Sequence, residues 1–365
     1  MGAPPAGPGR VDPVSETPHR PIIAAVFGGT SSEHGVSCLT AREVIAAIDP
    51  ERYTVLPVGI TREGRWVRET AVWDDVPAGE LPSVRGHLPA FAWEELRDVD
   101  AVFPLLHGPW GEDGTVQGLL EMVGARYVGS GVLASAVGMD KPFMKTVFSA
   151  AGLPQLPHVT VHPGAWQRDR DRYAARIMAL GLPVFVKPAR AGSSSGVTMV
   201  DDWARLDAAV ADAERFDPKV VVEAAARGKR ELECAVMQAP DGTSIASVVG
   251  EIAVDAAAAH DFYDFESKYL DGSGVTTVPA DISVTLSERI RTYAVQAFDA
   301  LGCEGLARVD FFLTDEGLVV NEINTMPGFT PFSMFPRLWE ASGVSYAELV
   351  EQLLQLALGR PTGLR

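Results

Sequence analysis

Two short runs near the C-terminus, LARVDFFL (306–313) and LVVNEIN (318–324), flank Asp315-Glu316-Gly317. Alternating apolar and polar residues on both sides of a Gly-containing break predict a β-hairpin with a three-residue loop, in which Thr314 pairs with Leu318. That register sets Asp310 opposite Glu322 and Arg308 opposite Asn324, and the two-residue period of a strand puts all four on one face. Two carboxylates in direct opposition repel unless a cation lies between them. Asp, Glu and Asn supply the oxygen donors that Mg²⁺ takes alongside phosphate oxygens, and Arg308 beside them suits a phosphate or a developing oxyanion. The plain alternative is a solvated polar face. The tight turn Thr325-Met326-Pro327-Gly328, with backbone N–H groups close by, weighs against it.

The rest of the chain reads as an α/β and α+β multidomain protein. IIAAVF (22–27), the turn 28–32 and a helix over 33–48 form strand, glycine turn and helix, the opening of an α/β domain. Further strands are expected over 53–60, 100–106 and 126–128, with a helix over 115–123. Asp140 reads as the N-cap of a helix that opens with Lys141, Pro142 and Lys145 and ends at Gly152. In strand 182–187, Val184 and Val186 share one face, Phe185 and Lys187 the other. A helix over 201–214, a strand over 220–223 and antiparallel strands over 231–238 and 245–254 follow. The irregular stretch 255–280, rich in aromatics, reads as a lid. A helix over 286–301 precedes the hairpin, and a helix ends the chain.

Charge decides which partners fit. With 31 Lys+Arg against 48 Asp+Glu the net charge is −17, which argues against nucleic acid and anionic membrane as partners. A polyanionic ligand then has to be met in a local basic pocket. Lys187 before Gly192-Ser193-Ser194-Ser195-Gly196 is one candidate, since Gly admits close approach and Ser adds donors; the order differs from a Walker loop, where Lys follows the glycines. Residues 28–33 (GGTSSE) lack G-x-G-x-x-G, which weakens a nicotinamide oxidoreductase reading. Glu33 there either caps the helix or faces a cationic group such as an amine. His107-Gly108 and Glu112-Asp113-Gly114 follow a strand end, where α/β proteins place ligands, and Lys268-Tyr269 sits in the long irregular stretch. Three cysteines without a CxxC spacing exclude a disulfide framework and fit a reducing cytoplasm. No apolar run reaches membrane length, and the Pro/Gly-rich residues 1–20, which lack a signal-peptide apolar core, read as a disordered tail.

Several longer motifs in this order resemble D-alanine–D-alanine ligases: GGTSSEHGVS (28–37), LHGPWGEDGTVQG (106–118), MDK (139–141), FVKPARAGSSSGV (185–197), FYDFESKY (262–269), GLARVDFF (305–312) and NEINTMPGFTPFSMFP (321–336). The likeness runs from about residue 21 to 360. It implies the ATP-grasp fold with an N-terminal Rossmann-like parallel-sheet domain. On this reading 1–20 is the tail, 21–129 the N-terminal substrate-binding domain, 130–223 the central ATP-grasp subdomain and 224–362 the C-terminal one with the metal site and lid. It implies that ATP phosphorylates one D-alanine carboxylate and that the amine of a second D-alanine displaces the phosphate.

Residue by residue, the resemblance assigns Asp310, Glu322 and Asn324 to two Mg²⁺ (or Mn²⁺) ions, and Lys141, Lys187 and Lys268 to the ATP phosphates. Glu223, Ala224 and Ala226 would meet the adenine edge and Glu231 the ribose. Glu33 would pair with the first D-alanine's ammonium, and His107 would line the substrate site. Arg308 and the Gly328 N–H would stabilise the tetrahedral intermediate. Ser333 and the Met334 backbone would hold the second carboxylate. Glu33, Ser193 and Tyr269 would lock the closed lids. A cytoplasmic homodimer is implied. Two departures stand out: Ala191 occupies a position often acidic in the family, and the hinge Glu223-Ala224-Ala225-Ala226 lacks the usual larger side chains. The resemblance favours D-alanine as acceptor, with D-lactate or D-serine as the alternative: D-lactate-using relatives carry a different long loop, with a His where Tyr269 stands. A nucleotide-binding protein without ligase activity is the remote alternative; the intact set Arg308, Asp310, Glu322 and Asn324 argues against it.

Overall fold

The computed structural model describes residues 20–70, 73, 76, 80–192, 195–253 and 275–363. The readings of 1–19 as a tail and of 255–274 as a lid, with Ser193, Lys268 and Tyr269, lie outside the described residues.

The N-terminal strand forms as the apolar run requires. β1 (Ile22–Gly28) pairs in parallel with β2 (Thr54–Ile60), whose other edge carries the antiparallel β3 (Trp66–Arg68), and β4 (Ala101–Pro104) runs parallel to β1 on its opposite side. Ile23 to Phe27 are fully buried because both faces of a mostly parallel sheet are covered. α1 (His34–Ala47) and α2 (Thr115–Val123) follow β1 and β4. The expected strand 126–128 is reduced to a single bridge from Tyr127 to Val102. α3 (Val132–Met139) was not anticipated; it has no side-chain cap and is introduced by a glycine. α4 (Lys141–Ala150) begins where predicted, with the Phe143 N–H donating to Asp140 Oδ1 at 3.2 Å.

The second sheet has β5 (His158–Val161), β6 (Val184–Pro188), β7 (Thr198–Val200) and β8 (Val220–Ala224) in the order β5-β8-β6-β7, antiparallel throughout. α5 (Ala165–Arg168), α6 (Arg170–Met178) and α7 (Leu206–Glu214) cover its apolar face. Val184 and Val186 point into that core while Phe185 and Lys187 face the other way, as the alternation predicts.

The third sheet is antiparallel, in the order β11-β10-β9-β12-β13: β9 (Arg230–Gln238), β10 (Ser244–Ala253), β11 (Val275–Thr277), β12 (Leu306–Thr314) and β13 (Gly317–Asn324). β11 falls in the stretch read as irregular; its pairing with the end of β10 is long-range and invisible in local pattern. Leu232, Cys234 and Val236 pack under α8 (Val284–Leu301). On the opposite face Ala235 and Met237 meet α9 (Met334–Ala341) and α10 (Tyr346–Gly359). The same core takes in Ile23, Phe103 and Phe329, so the C-terminal helices bridge the first and third sheets. Each fully buried Leu there, such as Leu349, Leu353 and Leu354, contributes about 1.5–3 kcal/mol.

The hairpin corrects its expected loop. Thr314 pairs with Gly317, not with Leu318, so the loop is the two residues Asp315 and Glu316. A bulge then skips Asn321 between Phe311↔Val320 and Asp310↔Glu322. The extra residue restores the expected pairs Asp310↔Glu322 and Arg308↔Asn324.

Candidate active site

Three carboxylates share one register across neighbouring strands: Glu233 on β9 lies opposite Asp310 on β12, and Asp310 opposite Glu322 on β13. Arg308 fixes the middle of the row. Its Nε and one terminal nitrogen each donate to a different oxygen of Asp310 at 2.7 Å, and Nε is 2.9 Å from Glu233 Oε2. Asn324 Nδ2 donates to Asp310 Oδ2 at 3.0 Å, and Lys141 Nζ approaches Glu322 Oε2 to 3.4 Å. Among the described residues no three His, Cys, Asp or Glu gather as a closed metal cluster. The donor set is two opposed carboxylates and an amide on one wall of a cleft. It fits a hard divalent cation that keeps other positions for non-protein oxygens.

A second group of charges lies under the adjoining wall. Glu223, 2% exposed, sits with Oε1 2.8 Å from Lys145 Nζ and Oε2 2.5 Å from Lys187 Nζ. Burial alone would push the Glu223 carboxyl up, but the two ammonium groups hold it well below the usual carboxylate range. Burial likewise acts to lower the Lys187 pKa, and the Glu223 charge reverses the effect and raises it. Lys141 Nζ donates to the Ala191 carbonyl at 3.0 Å, tying α4 to the Gly/Ser turn. Glu231 accepts from Lys229 Nζ at 2.6 Å. The Ala224 N–H is engaged by the Pro157 carbonyl at 3.0 Å.

On the far side of the cleft Glu33 stands at the N-cap of α1, where its side chain makes no capping hydrogen bond. Its carboxylate lies against Gly108 and Gly192: a Cβ on Gly108 would stand 2.5 Å from Glu33 Oε2. Of the two readings of Glu33, the capping one therefore fails. His107 is buried, with Nδ1 3.3 Å from the Met326 carbonyl and Nε2 3.1 Å from the Thr40 hydroxyl. Burial holds its pKa down, partly offset by the Glu33 charge. Glu112 accepts the Gly108 N–H at 2.6 Å. Burial and the Glu33 charge push its carboxyl well above the ordinary range. The Ser333 hydroxyl accepts from the Thr330 N–H at 3.1 Å at the start of α9.

These groups line two adjoining cavities. The larger, 380 Å³, is lined by Glu33, His107, Lys141, Arg308, Glu322, Asn324, Gly328, Ser333 and Met334. The smaller, 150 Å³, is lined by Lys141, Lys187, Glu223, Ala224, Ala226, Glu231, Asp310 and Glu322, with Phe185 and Phe312 as apolar walls. Lys141, Glu322, Glu233, Ala191 and Gly192 belong to both. Every described residue to which the resemblance assigns a role thus lines one cavity or the other. Glu233 was missed, Lys145 was named only as part of its helix, and Glu112 was quoted only within its loop. The available signals were the four-residue step from Lys141 to Lys145 on one helix face and the two-residue step from Glu231 to Glu233 on one strand face.

Comparison with known proteins agrees with this geometry. The chain resembles the VanG D-Ala:D-Ser ligase from Enterococcus faecalis, at TM-score 0.76 and 33% identity over 93% of this chain and 100% of that one. It resembles the D-alanine-D-alanine ligase from Coxiella burnetii at TM-score 0.72 and 33% identity, over 93% of this chain and 94% of that one. The fold is the multidomain ATP-grasp architecture, and the protein is a ligase of that class. The D-ala D-ala ligase N-terminus model matches residues 22–130 and the D-ala D-ala ligase C-terminus model residues 147–355. A D-alanine--D-alanine ligase from Kineococcus radiotolerans is 53% identical over 95% of this chain and 99% of its own length. The chain belongs to the D-alanine–D-alanine ligase family.

Proposed function

We propose that this chain joins two molecules of D-alanine, using ATP, to make D-alanyl-D-alanine for peptidoglycan precursor synthesis. One observation carries the reading: the lysine-lined cavity and the Glu33-lined cavity meet at Lys141 and Glu322. A nucleotide in the first has its terminal phosphate directed at a carboxylate in the second. A D-alanine carboxylate oxygen attacks the γ-phosphorus, and the bond to the β-phosphate oxygen breaks to give acylphosphate and ADP. The amine of the second D-alanine then adds to the acyl carbon, loses a proton, and inorganic phosphate departs with the oxygen. Activation is needed because a carboxylate oxygen leaves poorly and phosphate leaves well.

In this scheme Glu33 receives the ammonium of the first D-alanine, and Ser333 with the Met334 backbone at the start of α9 receives the second carboxylate. Arg308 and the Gly328 N–H stabilise the oxyanion of the tetrahedral intermediate. Lys141 and Lys187 meet phosphate oxygens; Glu223, Ala226 and the Ala224 carbonyl face the base, and Glu231 the ribose. Asp310, Glu322 and Asn324 would hold Mg²⁺ or Mn²⁺, which when bound neutralises phosphate charge. Lys268, Ser193 and Tyr269, outside the described residues, complete the phosphate contacts and lid lock on the strength of the resemblance. Excluding water protects the acylphosphate from hydrolysis.

The relatives at 53% and 52% identity are named for D-alanine as acceptor, whereas the ligase named for D-serine is 33% identical; this supports D-alanine. We further propose the three-domain division at 129 and 223, a cytoplasmic location and a homodimer. No helix among the described residues is long and apolar enough to cross a membrane. The test is ADP release by the purified chain with ATP and Mg²⁺. Release that rises with D-alanine and yields the dipeptide is the expected result; ADP release indifferent to D-alanine overturns the reading.

A further inference from the structure

Glu223 has a partner that the scheme above does not use. Lys145 is 1% exposed, and its ammonium lies 2.8 Å from Glu223 Oε1, while Lys187 holds Oε2. Lys145 and Lys141 are four residues apart on α4, one turn of the same helix face. Lys141 reaches the cleft; Lys145 reaches the buried carboxylate under it. Glu223 on β8 and Lys187 on β6 are diagonal neighbours, since Phe185 is the residue paired with Glu223. One carboxylate therefore ties a helix carrying one phosphate-side lysine to a strand carrying another.

We propose that Lys145 is a positioning residue for nucleotide binding: by holding one oxygen of Glu223 it keeps the other turned toward Lys187, and through α4 it fixes where Lys141 enters the cleft. Without it, Lys187 is the ammonium that, among the described residues, remains at ion-pair distance from Glu223, and it is drawn back from the cavity toward both oxygens. A buried carboxylate that loses a partner takes up whatever charge remains within reach. Lys145 touches neither cavity, so its effect passes through the other two lysines. This inference rests on the reading that the smaller cavity takes the nucleotide.

The experiment is steady-state kinetics of Lys145→Met and Lys145→Arg beside the wild-type chain, with KM for ATP and for D-alanine determined separately and melting followed in parallel. Lys145→Gln, which keeps a donor for Glu223, serves if the Met variant does not fold. The expected result is a KM for ATP raised about tenfold or more in Lys145→Met (or Lys145→Gln), a KM for D-alanine changed less than about twofold, and recovery to within about threefold by Lys145→Arg. A lowered melting temperature with unchanged KM for ATP means a structural ion pair only and overturns the proposal. Absence of D-alanine-dependent ADP release in the wild-type chain overturns the ligase reading, and this proposal with it.

Discussion

Asp310 and Glu322 stand opposite each other because Asn321 is left out of the ladder. The two-residue turn at Asp315 and Glu316, continued without interruption, would set Asn321 against Asp310 and turn Glu322 to the packed face of the sheet. The bulge returns Glu322 and Asn324 to the cleft, where Asp310 already points. Two carboxylates that a regular hairpin would keep apart are thus brought together at the junction of the two cavities.

Replacing one of them should leave the fold and remove the chemistry. Glu322→Gln keeps the shape and loses the charge, so ligase turnover should fall at least about a hundredfold. The melting temperature should stay close to that of the wild-type chain, since Glu322 is half-buried and not part of the apolar core. Both are read from ADP release and thermal unfolding. Near-normal turnover would take Glu322 out of the proposed metal set.

Glu233 should matter through Arg308. Asp310 is shared between the guanidinium and the proposed cation, and Glu233 is a carboxylate that Arg308 retains when Asp310 is engaged elsewhere. Glu233→Gln is expected to lower kcat about tenfold while leaving KM for ATP within about twofold. A rise in KM for ATP with kcat unchanged would contradict this account of the row.

Glu112 gives a pH signature in stability. Its carboxyl pKa is raised by burial and by Glu33, so the folded chain holds this proton more tightly than the unfolded chain does. Stability falls as pH rises from the ordinary carboxyl value of 4.5 toward the raised one. Glu112→Gln has no proton to lose and its amide oxygen can still accept the Gly108 N–H. The two proteins should unfold alike below that value. Above it the variant should gain on the wild type by at most about 1.4 kcal/mol per pH unit. Glu33, Arg308 and Glu322 act on this carboxyl, His107 Nδ1 lies 3.9 Å from it, and all four are present in both chains. Denaturant melts across pH 4 to about 8 read the difference; a constant gap would show that Glu112 is ionised in the fold.

Much of this site was legible in the sequence, and the hairpin shows both the reach and the limit of such reading. The pairing of Asp310 with Glu322 was anticipated from alternation, yet on a three-residue loop that does not exist. The missing loop residue and the bulge at Asn321 cancel, and a bulge leaves no trace in apolar periodicity. Asp140 as a cap, and the faces of Val184 and Lys187, are local effects and were read directly. α3 escaped because a glycine precedes it and no capping side chain marks it. The roles of Lys145 and Glu233 escaped because their partners, Glu223 and Arg308, are 78 and 75 residues away in the chain. Nothing within a helix or strand announces a contact that only the packing of β8 against α4, or of β9 against β12, creates.

The central claim is tested most directly by supplying the purified chain with ATP, Mg²⁺ and D-alanine, with and without D-lactate, and identifying the product. The account predicts D-alanyl-D-alanine, one ADP and one phosphate per dipeptide, with D-lactate making no difference. D-alanyl-D-lactate as the main product, or ADP release without any D-alanine product, would contradict it.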